Sequence, residues 1–116
     1  MTASIAFGRF DNATPNTVDA LTTAGTTQSG APLLVGAINV LTTASGQVAA
    51  LLPTNHAASS PIIVRVNTAT AATIFPPTGG SINGGAANAS FSVAQNKPTV
   101  FFAHPNGIDY TAVLSA

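Results

Sequence analysis

The sequence predicts an all-β protein, an antiparallel β-sandwich or barrel-like domain preceded by an extended N-terminal arm. Three observations predict it. Short apolar stretches recur along the second half of the chain with turn chemistry between them, the pattern of sandwiches and barrels. The stretch Ile62-Ile-Val-Arg-Val66 places Ile62, Val64 and Val66 on one face and Ile63 and Arg65 on the other, the period of a strand. No segment sustains a helical period, and Ala86-Ala-Asn-Ala89 has room for a single helical turn at most.

Residues 1–36 are the least regular part and read as an arm or attachment segment. Ala, Thr, Asn and Gly dominate there, Pro15 and Pro32 interrupt, and the apolar anchors Ile5, Phe7, Phe10, Val18, Leu21, Leu33, Leu34 and Val35 are sparse. One short strand is expected near Ile5–Phe10, and the aromatics argue that the arm docks on its own domain or on a neighbour. Residues 37–116 read as the β-rich domain. Strands are expected at Ala37–Leu41 and at Val48–Leu52, which Pro53 stops, with Ser45-Gly46 as the turn between them. Thr54–Ser60 reads as a polar loop.

Pro61–Asn67 is the clearest strand, and the apolar Ile63 on its second face implies that both faces are partly covered. Ala72–Phe75, Ala89–Val93, Thr99–His104 and Ile108–Leu114 follow. The turns between them are Asn67–Thr70, the Gly/Pro-rich run after Phe75, Gln95–Pro98 and Pro105-Asn106-Gly107. Asn-Gly accepts the positive φ that tight turns require.

Charge is the unusual property. Only 5% of the 116 residues are charged and the net charge is zero, where an ordinary soluble domain has about 25% charged residues. The charged residues are Arg9, Asp11, Asp19, Arg65, Lys97 and Asp109. No cluster of Lys and Arg offers a footprint for DNA or RNA, so no nucleic-acid partner is expected. From Ala20 to Val64 there is no charge, yet polar residues, Gly and Pro break the run everywhere. It falls short of the roughly 20 apolar residues a spanning helix needs, so no membrane partner is expected. The first ten residues lack the basic start and apolar middle of a signal peptide, so no cleaved signal is expected. There is no cysteine, hence neither a disulfide framework nor a zinc-ribbon spacing.

The run Phe75-Pro-Pro-Thr-Gly-Gly-Ser-Ile-Asn-Gly-Gly85 invites comparison with phosphate-binding loops. A Walker loop requires Lys after its second Gly and a helix beyond; neither follows Gly84. The dinucleotide fingerprint is misspaced. Turns explain the run better: Pro76-Pro77 ends a strand, Thr78-Gly79-Gly80 turns the chain, Ile82 tucks inward and Gly84-Gly85 turns it again.

The same run carries a family resemblance. The apolar strand from Pro61 is followed by Ile74-Phe-Pro-Pro-Thr-Gly-Gly-Ser-Ile-Asn-Gly-Gly-Ala-Ala-Asn-Ala-Ser-Phe-Ser-Val93. A polar turn, an aromatic strand and a terminal strand bearing Tyr110 complete the pattern. It resembles modules of small virion proteins of tailed phages, in capsid decoration (cement) proteins and in fibre proteins. The resemblance covers about half the chain and lies in turns and strands rather than in chemistry. It implies a structural role on the outer surface of a capsid, reached from the host cytoplasm during assembly. The implied partners are the major capsid protein and further copies of the chain, closed as a trimer. The other implied role is a tail or head fibre module that binds a host surface glycan. Where that family often ends in a strand with Trp, this chain has Tyr110 alone.

Hidden catalytic chemistry finds little material. His56 and His104 have no second metal ligand near them in sequence. There is no G-x-S-x-G elbow and no Glu, so paired carboxylates are poorly supplied. Asp11, Asn12, Asn16 and Asp19 are oxygen-rich but miss the spacing of an EF-hand loop. No enzyme activity, metal or cofactor is expected. With one Lys to protect sheet edges and more Phe than alternating strands hide, part of the surface is expected to be covered by other chains. A standard interface of about 800 Å² per partner at about 25 cal/mol/Å² gains about 20 kcal/mol before association costs reclaim most of it. Ile5, Phe7, Phe10, Leu21, Leu33, Leu34, Phe101 and Tyr110 are the candidate interface residues. Deleting residues 1–20 is expected to leave a folded domain that no longer attaches.

Overall fold

The computed structural model describes residues 17–58 and 60–115, and among these no helix forms. The strands are β1 (Thr17–Thr22), β2 (Ile38–Thr42), β3 (Ala49–Leu51), β4 (Ile62–Val66), β5 (Ala72–Phe75), β6 (Phe91–Val93), β7 (Thr99–Ala103) and β8 (Tyr110–Leu114). They make a five-stranded sheet in the order β1-β2-β4-β7-β8 and a three-stranded sheet in the order β3-β5-β6. The fold is all-β, as its sequence implies. Both sheets are mixed rather than antiparallel.

The mixture has a topological cause. Strands that follow one another in sequence between β2 and β5 lie in different sheets, so the chain passes back and forth between the two layers. Each return lays a strand parallel to the one before: β2 against β4 in one sheet, β3 against β5 in the other. The strand of the opposite sheet serves as the crossover that parallel pairing needs. An earlier lap runs from β1, parallel to β2, through Leu33, which bridges in parallel to Leu51. Antiparallel strands close the other end: β7 pairs with β4, β6 with β5, and β8 with β7.

Residues 17–36, assigned above to an arm, therefore belong to the folded unit. Leu34 is buried and its amide donates to the Leu51 carbonyl at 2.8 Å. Deletion through residue 20 would remove most of β1 and bare the flank of β2. The strand expected near Ile5–Phe10 lies outside the described residues.

The sheets share one core. Leu41, Ile62, Val64, Val66, Phe101, Tyr110 and Ala112 of the five-stranded sheet join Ala50, Ala72, Ile74 and Val93 of the three-stranded one in a single buried cluster. Leu34, Leu52 and Ile82 complete it from the connections. Phe91 meets Phe101 edge-on with ring centroids 5.8 Å apart. The buried polar residue Asn39 pairs fully: its Oδ1 accepts the Gly36 amide at 3.1 Å, and its Nδ2 donates to the carbonyls of Gly36 at 2.8 Å and Ile63 at 3.3 Å. Such pairing offsets what an unsatisfied buried amide would cost.

The Gly/Pro-rich run is a chain of turns. Gly79 and Gly84 hold positive φ, and the Gly80 and Gly85 amides donate to the carbonyls of Pro77 and Ile82. Gly80 is required for space: a Cβ there would run into the Ile108 carbonyl. Ala86–Ala89 is a turn rather than a helical one, with Asn88 at φ 65°. Every non-glycine residue with positive φ among those described is Asn (Asn55, Asn83, Asn88 and Asn96), the side chain that tolerates this region best.

Tyr110 is buried, and its hydroxyl donates to the Pro53 carbonyl at 2.6 Å. Burial pushes its pKa up to about 12. The shift favours the protonated phenol in the folded state. Its stabilisation is thus complete below about pH 10, where the unfolded tyrosine is protonated, and is lost as pH rises above that. The chain has a single Tyr, so an ultraviolet phenolate titration reads this residue alone. The phenolate is expected to appear near pH 12 or in one step with unfolding; a midpoint near 10 in the folded protein would contradict the burial. Tyr110→Phe is expected to lower the unfolding free energy by about 0.5–1.5 kcal/mol, read by urea titration.

Candidate docking face

The five-stranded sheet has two faces and one of them meets the three-stranded sheet. Burial alternates accordingly along β4 and β7, where Ile62, Val64, Val66, Thr99, Phe101 and Ala103 point inward. Three of the four outward residues of these strands, Ile63, Val100 and Phe102, are apolar, where an ordinary solvated sheet face is polar; the fourth is Arg65. Ile38 pairs with Ile63, Ile63 with Val100, and Val100 with Val113, so β-branched side chains form a straight row across four neighbouring strands. Beside the row, on β7, stands Phe102, opposite Thr111. Exposure reaches 41% at Ile38, 40% at Phe102 and 53% at Val113.

Polar groups rim this patch. Arg65, exposed and paired with Val40, lies on one side. On the other, His104 Nε2 sits 2.6 Å from Thr111 Oγ1. A contiguous apolar patch with a polar rim is what protein docking surfaces look like. Near Pro61, at the start of β4, an open groove of about 330 Å³ continues the apolar surface, lined by Leu33, Val35, Pro53 and His56 among others. Leu33 and Val35 are both exposed, and His56 Nε2 is held 2.8 Å from the Ser60 carbonyl.

The edge of β8 is closed by the chain itself. Ile82 bridges to Tyr110 in parallel, the Asn83 amide donates to the Tyr110 carbonyl, and the Tyr110 amide donates to the Ser81 carbonyl. The Asn83 side chain then imitates one more peptide unit, accepting the Ala112 amide at 2.8 Å and donating to its carbonyl at 3.3 Å.

The same run leaves little for a phosphate to bind. The Gly79 amide donates to Asn88 Oδ1 at 2.7 Å, and the Ser81 amide to Asp109 Oδ1 at 2.9 Å. A carboxylate already stands where an anion would. Hydrogen bonds from the Asn106 side chain and the Ser81 amide hold the Asp109 carboxyl below its usual range. Its contribution to stability is thus present above the ordinary carboxylate range and is lost as pH falls. Among the described residues no three His, Cys, Asp or Glu side chains come together in a way that would hold a metal ion.

The interface candidates of the sequence divide three ways. Leu34, Phe101 and Tyr110 are core residues at 2% exposure or less, enclosed by their own chain, and present no side-chain surface to a partner. Leu21 packs against the core from β1, partly buried. Leu33 is exposed at the groove, while Ile5, Phe7 and Phe10 lie outside the described residues. Sequence reasoning passed over Ile38, Val100, Phe102 and Val113. Adjacent apolar residues inside a strand signal two of them: in Val100-Phe101-Phe102 the middle ring is buried, so its two neighbours face outward, whereas Ile38, between Ala37 and Asn39, and Val113, beside the equally exposed Leu114, carry no such signal.

Comparison with family models, with curated proteins and with solved structures finds no match for this chain. The likeness to phage virion modules thus rests on the residues that carry it.

The adjacent phenylalanines give a direct check on which face is which. Phe101→Ala is expected to cost about 3–5 kcal/mol of unfolding free energy, as for other buried rings. Phe102→Ala is expected to stay within about 0.5 kcal/mol of the parent in the same denaturant titration. Equal costs would mean that the outer face is part of the folding core.

Proposed function

We propose that this chain is a structural virion protein, a capsid decoration (cement) protein of a tailed phage. It bridges neighbouring major capsid subunits through its apolar sheet face and its N-terminal arm, and it catalyses nothing. In this reading the two sheets form a β-sandwich, one of whose outer faces is lent to the shell. Copies meet as trimers around threefold positions of the capsid, on its outer surface, after assembly in the host cytoplasm.

One observation carries the reading: the row Ile38–Ile63–Val100–Val113 with Phe102, an apolar face on a chain that is only 5% charged and neutral overall. A protein that works alone in water keeps a charged surface and a net charge away from zero. A clamp repeated over a lattice needs the opposite. Each copy gains by removing its face from water, and repeated contacts add avidity without any single one being strong. The fibre reading needs exposed aromatic platforms for sugars, and Phe102 is the single well-exposed aromatic side chain among the described residues.

Co-sedimentation with intact shells tests the proposal. The parent chain is expected to pellet with shells in many copies distributed over the head. The double substitution Phe102→Lys with Val113→Lys is expected to abolish pelleting and leave the far-ultraviolet spectrum unchanged. Undiminished pelleting of a folded double variant would overturn the assignment of this face.

A further inference from the structure

A short piece of chain closes the edge of β8, and one carboxylate pins that piece from the side. We propose that Ser81–Asn83 is a clasp released by protonation of Asp109, so that acid uncovers the β8 edge while the two sheets stay packed. The inference is independent of the decoration reading and concerns the chain by itself.

The clasp has few anchors. Ile82 reaches the core at 6% exposure. The Ser81 carbonyl and the Asn83 amide pair with Tyr110, and the Asn83 side chain pairs with Ala112. Glycines flank the clasp on both sides, Gly79 and Gly84 at positive φ. The remaining anchor is Asp109. Its Oδ1 accepts the Ser81 amide at 2.9 Å and the Ser81 hydroxyl at 3.3 Å, and its Oδ2 accepts the Asn106 side chain at 2.7 Å. Asn106 is itself fixed, because its Oδ1 accepts the Ile108 and Asp109 amides at 3.1 and 3.0 Å. A carboxylate suits this ring of donors. The neutral acid brings a proton of its own into a site arranged to donate, and the charge that strengthened the three bonds is gone.

Few titratable groups surround Asp109 among the described residues. His104, at the end of β7, is near enough for its charge to favour the carboxylate. Tyr110 turns its hydroxyl inward to the Pro53 carbonyl. The loop joined to this hairpin by the Asn55 amide on the Gly107 carbonyl carries His56, which is turned to the Ser60 carbonyl. Arg65 and Lys97 lie near Thr99, at the opposite end of the sheet, and Asp19 lies on its far edge strand β1. Hydrogen bonds from Asn106 and Ser81 hold the Asp109 carboxyl below the usual value of about 3.9. The clasp is therefore closed above that range and opens as pH falls through the lower, folded value. Lifted, it leaves the outward amides and carbonyls of Tyr110 and Ala112 without partners, an edge ready to pair with another strand.

β8 carries its own control. The amides of Tyr110 and Ala112 bond to the clasp, whereas those of Thr111 and Val113, register partners of Phe102 and Val100, turn to β7. Amide hydrogen exchange, read residue by residue by nuclear magnetic resonance at about pH 6 and about pH 2 and corrected for intrinsic rates, tests the proposal. In acid, protection at Tyr110 and Ala112 is expected to fall about tenfold, the scale of one charge-assisted hydrogen bond, while Thr111 and Val113 keep theirs. Asp109→Asn is expected to show the acid pattern already at about pH 6 and to lose no further protection below it. Protection at Tyr110 and Ala112 that ignores pH, or that falls in step with Thr111 and Val113, would overturn the proposal. The parent chain alone decides this if the variant does not fold.

Discussion

The packing of Ile62, Val64, Val66, Phe101 and Tyr110 against Ile74, Val93 and Leu52 is the contact on which the rest of this molecule depends. It joins the sheets, and it fixes which face of each strand is spent on folding. Once those residues are committed inward, the two-residue period of a strand sends Ile38, Ile63, Val100, Phe102 and Val113 the other way. The outer face is apolar because the strands are apolar on both sides, and only one side has a sheet to meet.

A chain so poor in charge replaces ionic devices with amide chemistry. The β8 edge is closed by Ser81–Asn83 and by a side-chain amide that copies a peptide, where other proteins place Lys or a bulge. The tightest turns use Asn55, Asn83, Asn88 and Asn96 at positive φ. Thr43 performs the same service inside the protein, bonding Thr68 and the Thr70 carbonyl at the end of β2. Satisfying polar groups locally in this way leaves the outer face without a compensating layer of charge. That is tolerable for a surface that the proposed assembly would cover.

Much of the fold was legible in the sequence because strand length, alternation and turn chemistry are local. Pro61–Asn67 and Ala72–Phe75 were readable from β-branched alternation, and the inward Ile82 from its position between two glycine turns. Pairing was not legible. Neighbours in sequence usually pair antiparallel, and nothing local in Ile38–Thr42 announces that its parallel partner lies a lap later at Ile62–Val66. β1 was missed because Thr17-Val-Asp-Ala-Leu-Thr22 carries little apolar weight of its own and is held as an edge strand by β2. Among the interface candidates, Phe101 and Tyr110 were chosen for being large and apolar, which describes a core residue equally well. Only the sheet partner decides, and it turns Phe101 inward and Phe102 out.

The central claim is that the outer face of the five-stranded sheet is a surface for contact with another chain. A reconstruction of the assembled particle at side-chain resolution tests it most directly. The account predicts Ile38, Phe102 and Val113 sealed from solvent beneath a capsid subunit. A particle in which these side chains face water, with the chain held elsewhere, would contradict it.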